Sequence, residues 1–318
     1  MENDGGGSAL VAGGAGFIGC HMCERLVARG WRVTVIDNLS LGRKENFASL
    51  RQSNQFSFVE GDVTDRAELD DLFARNGFDT VFDFVANSDI ARSHADPAVD
   101  IVNTFDTTVG LLDTMRRHGT RQIVFASTSA IYGEADGAIS ESHGPLMPIS
   151  HYGAAKLASE AFISSYAHNY DMRAWIVRFP NVVGDRLTHG AVRDFARKLL
   201  ANPERLEVLG NGGQIKPYLH ADDVVDAILK IGDSTADPVN IFNIAGNTRC
   251  SVKRIAEIVV EEAGGTAEIV FTGGDRGWIG DVPNVEYDIS KISGLGWQPR
   301  LDSEGAIRAA ARWALDNL

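Results

Sequence analysis

Cysteine is scarce in this chain of 318 residues: Cys20, Cys23 and Cys250 cannot build a disulfide framework and suit a reducing cytoplasm. Cys20 and Cys23 form a C-x-x-C pair, but it falls inside the first predicted helix with no second ligand pair nearby. They read as small packing residues, and no metal site is expected. Long apolar runs are missing as well. Stretches such as 122–126 and 174–177 fall far short of the roughly 20 residues that cross a bilayer, so no membrane partner is expected. Residues 1–8 are acidic and glycine-rich and lack the basic start and apolar core of a secretory signal, which makes them a frayed tail. Positive charge is in deficit, with 30 Lys and Arg against 43 Asp and Glu and a formal net charge of −13. That balance argues against a nucleic-acid partner, whose backbone needs clustered cations, and leaves room for a small anionic substrate.

What is present is an ordinary globular balance, 44% hydrophobic and 23% charged. The first half alternates short apolar runs with amphipathic segments, the pattern required by a parallel sheet covered with helices. The runs predict strands at 9–12, 32–36, 56–59, 80–84, 121–126 and 173–177. Beyond Phe179, Pro180, Gly184, Gly190, Pro203 and the Gly210 to Gly213 cluster break the chain into shorter pieces. The expected fold is α/β, a Rossmann-type doubly wound parallel sheet with a smaller, interleaved substrate-binding lobe. Residues 8–180 form the sheet domain, 216–245 return to it, and 181–215 with 246–318 form the second lobe.

Gly13, Gly16 and Gly19 follow an apolar strand and open a helix. Without a Cβ at Gly13 and Gly16 the backbone turns tightly and approaches a pyrophosphate, whose charge is met by the N–H groups and dipole of the helix start; Gly19 lets helix and strand pack closely. The next strand ends at Asp37, a carboxylate able to accept from ribose hydroxyls and to repel the extra phosphate of NADP, so NAD is the expected cofactor. Asp62 and Val63 follow the third strand, and Ala86 and Asn87 the fourth, at the carboxyl ends where ligands bind in such sheets. Asp62 reads either as an adenine contact or as an ordinary turn aspartate.

Tyr152-Gly153-Ala154-Ala155-Lys156 sets a phenol and an ammonium four residues apart, on one helix face. A tyrosine is a poor base near neutrality, but an adjacent lysine and a positive nicotinamide ring both favour its phenolate. The stretch from Phe125 to Gly133 begins as a buried strand and ends in small hydroxyl residues, which suit a substrate oxygen beside the tyrosine.

These segments together resemble the extended short-chain dehydrogenase/reductases, in the group of NAD-dependent nucleotide-sugar epimerases and dehydratases. The likeness covers Gly13 to Gly19, Ile36 to Ser40, Gly61 to Asp65, Ser127 to Gly133, Tyr152 to Lys156 and Arg178 to Gly184. It implies Thr128, Tyr152 and Lys156 as catalytic residues. Phe17, Ile18, Asn38, Leu39, Ser40, Gly42, Ser88, Asn103, Ser127, Pro180 and Val183 join the cofactor set, Asn103 with a helix-capping or core role as the alternative. On the substrate side it implies Ser88, Ser129, Asn181 against the diphosphate, Tyr218, Asp281, and the cations Lys216, Arg276 and Arg193. Each of these cations has a solvated loop or surface charge as its alternative. Asp83 stands where relatives often carry histidine, with no task assigned to it.

The resemblance implies hydride removal from the sugar C4 while Tyr152 takes the O4 proton, giving a 4-keto sugar. Related dehydratases carry at least a Glu just after the threonine, for the proton transfers of elimination. Here Ser129 and Ala130 follow. The expected activity is therefore nucleotide-sugar 4-epimerisation of the UDP-glucose/UDP-galactose type, with UDP-glucuronate or N-acetyl sugars as other substrates. The alternatives are a 4,6-dehydratase or other sugar-nucleotide oxidoreductase, and an inactive cofactor-binding regulator. A cytoplasmic homodimer, paired through helices over 97–117 and 152–167, is the expected assembly, and Arg186 is a candidate reader of a sugar carboxylate.

Overall fold

The computed structural model describes residues 6–87, 93, 95–135, 137–274 and 285–318. In chain order the first elements are β1 (Ser8–Ala12), α1 (Phe17–Ala28), β2 (Arg32–Asp37), β3 (Phe56–Glu60), α2 (Arg66–Asn76) and β4 (Thr80–Asp83). A helical turn (Ala98–Asp100) and a π-helical segment (Ile101–Asp106) lead into α3 (Thr107–His118). Then come β5 (Gln122–Thr128), β6 (Ala138–Ile139), α4 (His151–Asn169), β7 (Arg173–Phe179), β8 (Asn181–Val183), α5 (Ala191–Ala201), β9 (Arg205–Val208), β10 (Ile215–Lys216) and β11 (Tyr218–His220). The chain ends with α6 (Ala221–Ser234), β12 (Val239–Asn243), β13 (Cys250–Ser251), α7 (Val252–Glu262), β14 (Glu268–Phe271), β15 (Glu286–Tyr287), α8 (Ser290–Ser293) and α9 (Ser303–Asn317).

Two compact units result. The first comprises 1–133, 144–178 and 228–242, and the second 134–143, 179–227 and 243–318. These bounds differ from the sequence reading in two places, for reasons of pairing. Residues 134–143 belong to the second unit because β6 pairs with β15, Ala138 opposite Glu286. Residues 216–227 belong there too, because β11 pairs with β8 and packs on α9, so only 228–242 belong to the first unit.

The first unit holds a seven-stranded sheet in the order β12-β7-β5-β4-β1-β2-β3. The pairs β1–β2, β2–β3, β1–β4 and β4–β5 are parallel. Strands covered on both faces can be apolar throughout, as the buried run Ala9 to Ala12 is. Leu10, Ile36, Leu69, Phe73, Val81, Leu111, Phe125, Ile163 and Ile176 share one core cluster. Chain order runs outward from β1 through β2 to β3, then restarts on the other side with β4. The carboxyl ends of β1 and β4 therefore flank the switch point at which ligands bind in doubly wound sheets.

In the second unit α5, α7 and α9 pack together. α7 turns Ile255, Ala256, Ile258 and Val259 inward, and α9 buries Ile307 together with Ala306, Ala310 and Ala314, three small residues that allow close approach. Arg254, Arg308 and Arg312 tie Glu261, Glu262 and Glu304 along the seam. No helix among the described residues is long and apolar enough to cross a membrane, and no group of His, Cys, Asp and Glu among them could hold a metal ion.

Candidate active site

The turn after β1 is built around Gly13, which adopts φ +72° and donates its N–H to the Ile36 carbonyl at 3.0 Å. A Cβ there would stand 3.0 Å from the Phe84 carbonyl carbon, so a side chain is excluded by conformation and by space. α1 begins at Phe17 with Gly16 as its cap; no side chain bonds its free amides and no acidic residue lies in its first turn. Such an end offers N–H groups and a positive dipole to an anion. Gly13, Gly16, Phe17 and Ile18 form its partly exposed rim, while Gly19 is buried against the turn.

Asp37, nearly buried at the end of β2, accepts from the Ala15 N–H at 2.9 Å and from the Leu39 N–H at 2.8 Å. Burial holds its carboxyl above the usual value, with those two amides only partly offsetting it. The carboxylate thus locks the turn to the following loop, and each oxygen keeps one lone pair for a further donor such as a ribose hydroxyl. The same loop closes through Ser40 N–H to Asn38 Oδ1 at 3.0 Å, with Gly42 packed close to Ala15 and Asp37. Asn38 also donates to Asp62 at 2.8 Å. At Asp62, mild burial works upward, but hydrogen bonds from Thr64 and Asn38 outweigh it and leave the carboxyl below its usual value. Val63 places its side chain in the hydrophobic core, so only its backbone is available to a ligand. This cradle, with an open helix end and a strand-end carboxylate, fits a dinucleotide.

After β4, Ala86 stays partly exposed, but Asn87 turns inward, donating to Ser93 Oγ at 2.9 Å and Asp100 Oδ1 at 3.1 Å. Its amide ties the end of β4 to the helical turn that carries Asp100. Asn103 lies in the π-helical segment, partly exposed; such segments are rare and recur at functional sites. Ser88, together with Arg276 and Asp281, lies outside the described residues.

Thr128 ends β5, and Tyr152 and Lys156 lie in the first turns of α4. Ser150 caps α4 by accepting from the Gly153 N–H at 3.1 Å, which starts the helix immediately before Tyr152. A Cβ on Gly153 would lie 2.6 Å from the Ala130 carbonyl oxygen, so this glycine lets α4 close onto the end of β5. There the Thr128 hydroxyl accepts from the Ala130 N–H at 3.1 Å and lies close enough to the phenol of Tyr152 to favour its ionised form. Ser129, partly exposed, follows in a single 3-10 turn.

The electrostatics overturn one expectation. The Tyr152 phenol is pushed up to about 12, first by burial, with the Thr128 hydrogen bond pulling down and the Asp100 carboxylate pushing up. Lys156 takes no part in that balance. Its ammonium, 1% exposed, donates to the Ala126 carbonyl at 2.7 Å, lies 3.5 Å from that of Val85, and sits 4.4 Å from the centre of the Phe125 ring. A spacing of four puts two side chains on one helix face, but the long lysine stem delivers its charge to the nearest strong acceptors, here the carbonyls of the sheet. Burial lowers Lys156 to about 8, with Asp83 and Glu160 holding it up.

Beneath the site lies a cluster that sequence reasoning missed. Arg178 grips Glu160 with Nη2 at 2.6 Å and Nε at 3.0 Å, and donates to the Tyr132 hydroxyl at 2.9 Å; both charges are about 5% exposed. The Ser127 hydroxyl, expected beside the cofactor, is committed to Glu160 at 2.5 Å. Only the spacing of Glu160 four residues beyond Lys156 hinted at this cluster. Asp100 was missed entirely. It is 1% exposed, and its Oδ2 has no hydrogen-bond partner among the described residues.

The remaining substrate-side residues lie in the second unit. Register sets Tyr218 opposite Asn181, the tyrosine buried and the asparagine exposed. Pro180 precedes this strand and Val183 ends it, buried. Lys216 pairs with Cys250 across β10 and β13, and Arg193 projects from the first turn of α5; both are partly exposed. Arg186 adopts φ +66°, the left-handed region that few side chains favour.

Comparison with known proteins bears on this geometry. The UDP-glucose 4-epimerase of Mycolicibacterium smegmatis is 32% identical over 298 residues, 92% of this chain and 93% of that protein. A dTDP-glucose 4,6-dehydratase of an Actinoplanes species is 32% identical over 96% of both chains. The structure of Thermus thermophilus UDP-glucose 4-epimerase, determined in complex with NAD, superposes with a TM-score of 0.87 at 28% identity, covering 98% of this chain and 100% of that one. The model of the NAD dependent epimerase/dehydratase family matches residues 9–245, from the first strand of the cofactor cradle to the last strand of the sheet. With the cradle, the Thr128–Tyr152 pair and the buried lysine in place along that span, the chain is a member of this family of NAD-dependent enzymes acting on nucleotide sugars.

Proposed function

We propose that the protein is a 4-epimerase of UDP-linked hexoses, of the UDP-glucose/UDP-galactose type, acting through a transient 4-keto sugar. The observation that carries this reading is the end of β5. Thr128 acts on the catalytic phenol, and the next two residues, Ser129 and Ala130, have no carboxyl group to drive an elimination. Asp100 does not substitute for one, because it is enclosed and already bonded to Asn87.

Held by the cradle around Gly13, Gly16 and Asp37, NAD would supply hydride exchange at C4 and a positive charge that favours the phenolate. The residues of the chain do the rest. Tyr152 takes the O4 proton and gives it back, Thr128 orients the phenol, and Lys156 holds a positive charge among the carbonyls at the ends of β4 and β5. Asn181 and Lys216 are assigned to the substrate diphosphate, and Arg193 and Tyr218 to its surroundings. Arg186 remains the candidate reader of a uronate. Three buried free thiols accord with a cytoplasmic setting. Ile101, Val102 and Phe162, exposed apolar residues on the two helical stretches expected to pair, support a homodimer.

Incubation with UDP-glucose, UDP-galactose, UDP-arabinose and UDP-glucuronate, followed by proton NMR of the anomeric region, tests the proposal. Interconversion of a C4 pair without net NADH is expected. A 4-keto-6-deoxy sugar that accumulates would show a dehydratase instead.

A further inference from the structure

Four charged side chains are buried behind the phenol: Lys156, Arg178, Glu160 and Asp83, the last with no exposure at all. Glu160 and Arg178 neutralise each other through the bidentate contact, and Glu160 has the Ser127 hydroxyl besides. Asp100 bonds Asn87 and bears on the phenol, which leaves Asp83 as the carboxylate, outside an ion pair, that acts on the Lys156 ammonium. Burial pushes the Asp83 carboxyl above its usual value; the Lys156 charge, the Thr108 hydroxyl at 2.9 Å and the Val85 N–H at 3.1 Å act the other way, in favour of the anion. The carbonyl of the same Val85 turns toward the lysine, so one residue at the end of β4 spans the two charges. The groups facing the ammonium are Asp83 and Val85 from the β4 end, Phe125 and Ala126 from β5, and Glu160 from its own helix.

We propose that Asp83 is a positioning residue for the reaction, the counter-charge that keeps Lys156 protonated at the carboxyl ends of β4 and β5. The inference rests on the reading of Lys156 as part of the catalytic set. Desolvation alone discharges a lysine in such a place, and the carbonyls and ring around it carry only partial charges. With Asp83 neutral, the cluster would hold one unbalanced positive charge in a region closed to water. Lys156 is the only one of the two cations able to shed it, since a guanidinium keeps its proton.

Asp83→Asn preserves shape and can still accept from Val85. The alkaline limb of kcat is expected to move about one pH unit lower, with KM for the UDP-sugar unchanged near pH 7, because an opposite charge nearby is worth about 1–3 units. Thr108→Val, which removes one bond to the carboxylate and keeps the volume, should move the limb in the same direction by less; it serves if the first variant does not fold. The titration of Lys156 by NMR of the protein carrying ε-13C lysine should fall in step, and this readout does not require turnover. A uniform loss of kcat at every pH, or a Lys156 titration unmoved in either variant, overturns the inference. A wild-type protein that epimerises no UDP-sugar overturns the functional reading and leaves the lysine titration to judge Asp83.

Discussion

Glu160 and Arg178 form a pair whose worth is tested by breaking it. Both are about 5% exposed, and the carboxylate receives the guanidinium through two nitrogens as well as the Ser127 hydroxyl. Glu160→Gln keeps the shape but leaves a guanidinium buried beside a neutral amide. Removing one partner of such a pair costs about 3–5 kcal/mol, and the surviving amide oxygen places this case near the lower end, at about 3 kcal/mol. For a unit of this size each kcal/mol shifts the melting temperature by about 2–4 °C, so a fall of about 10 °C is expected. The pair also links α4, which carries Tyr152 and Lys156, to β5 and β7, so activity should fall with stability. Urea unfolding followed by circular dichroism measures the cost. A Glu160→Met/Arg178→Met double variant, with no charge left to bury, should be clearly less destabilised than the sum of its single variants. If Glu160→Gln costs under about 1 kcal/mol, or the two methionine substitutions simply add, the view of this cluster as a buried, mutually dependent pair is refuted.

Tyr152→Phe should lower kcat by about 100- to 10,000-fold, the usual contribution of a positioned acid–base group, while cofactor content measured after denaturation stays at the wild-type level. Gly153→Ala forces a methyl group to within 2.6 Å of the Ala130 carbonyl, so α4 must lift away from β5; denaturant titration should show a loss of about 1–3 kcal/mol, and kcat should fall as Tyr152 moves away from Thr128. Because Lys156 sits at about 8 in the folded protein against an ordinary 10.5, its charge is complete at pH 7 and is lost as pH rises through 8. Wild-type turnover should therefore decline from about pH 8 upward, and a rate that holds level to pH 10 would contradict that placement.

The sheet and the glycine turn were legible because they are local: strand, turn and helix lie within twenty residues, and a parallel strand buried on both faces has to be apolar along its length. Tyr152 and Lys156 were legible by spacing, and Thr128 by resemblance. What spacing did not convey is where a flexible stem ends. Lys156 leaves the helix on the same face as the phenol, yet its ammonium settles on the Ala126 carbonyl, thirty positions earlier in the chain. The charge that bears on the phenol is instead that of Asp100, fifty-two positions away, brought there by the helical turn after β4 and marked by nothing in its neighbourhood. The same holds for the bounds of the two units, where a two-residue strand, β6, finds its partner nearly 150 positions later. Sequence motifs thus name the groups that meet, while their protonation follows from tertiary burial. With the phenol near 12 and a carboxylate at its back, the protein alone holds Tyr152 protonated, and a positive charge on the ligand side is what the geometry requires before that proton can move.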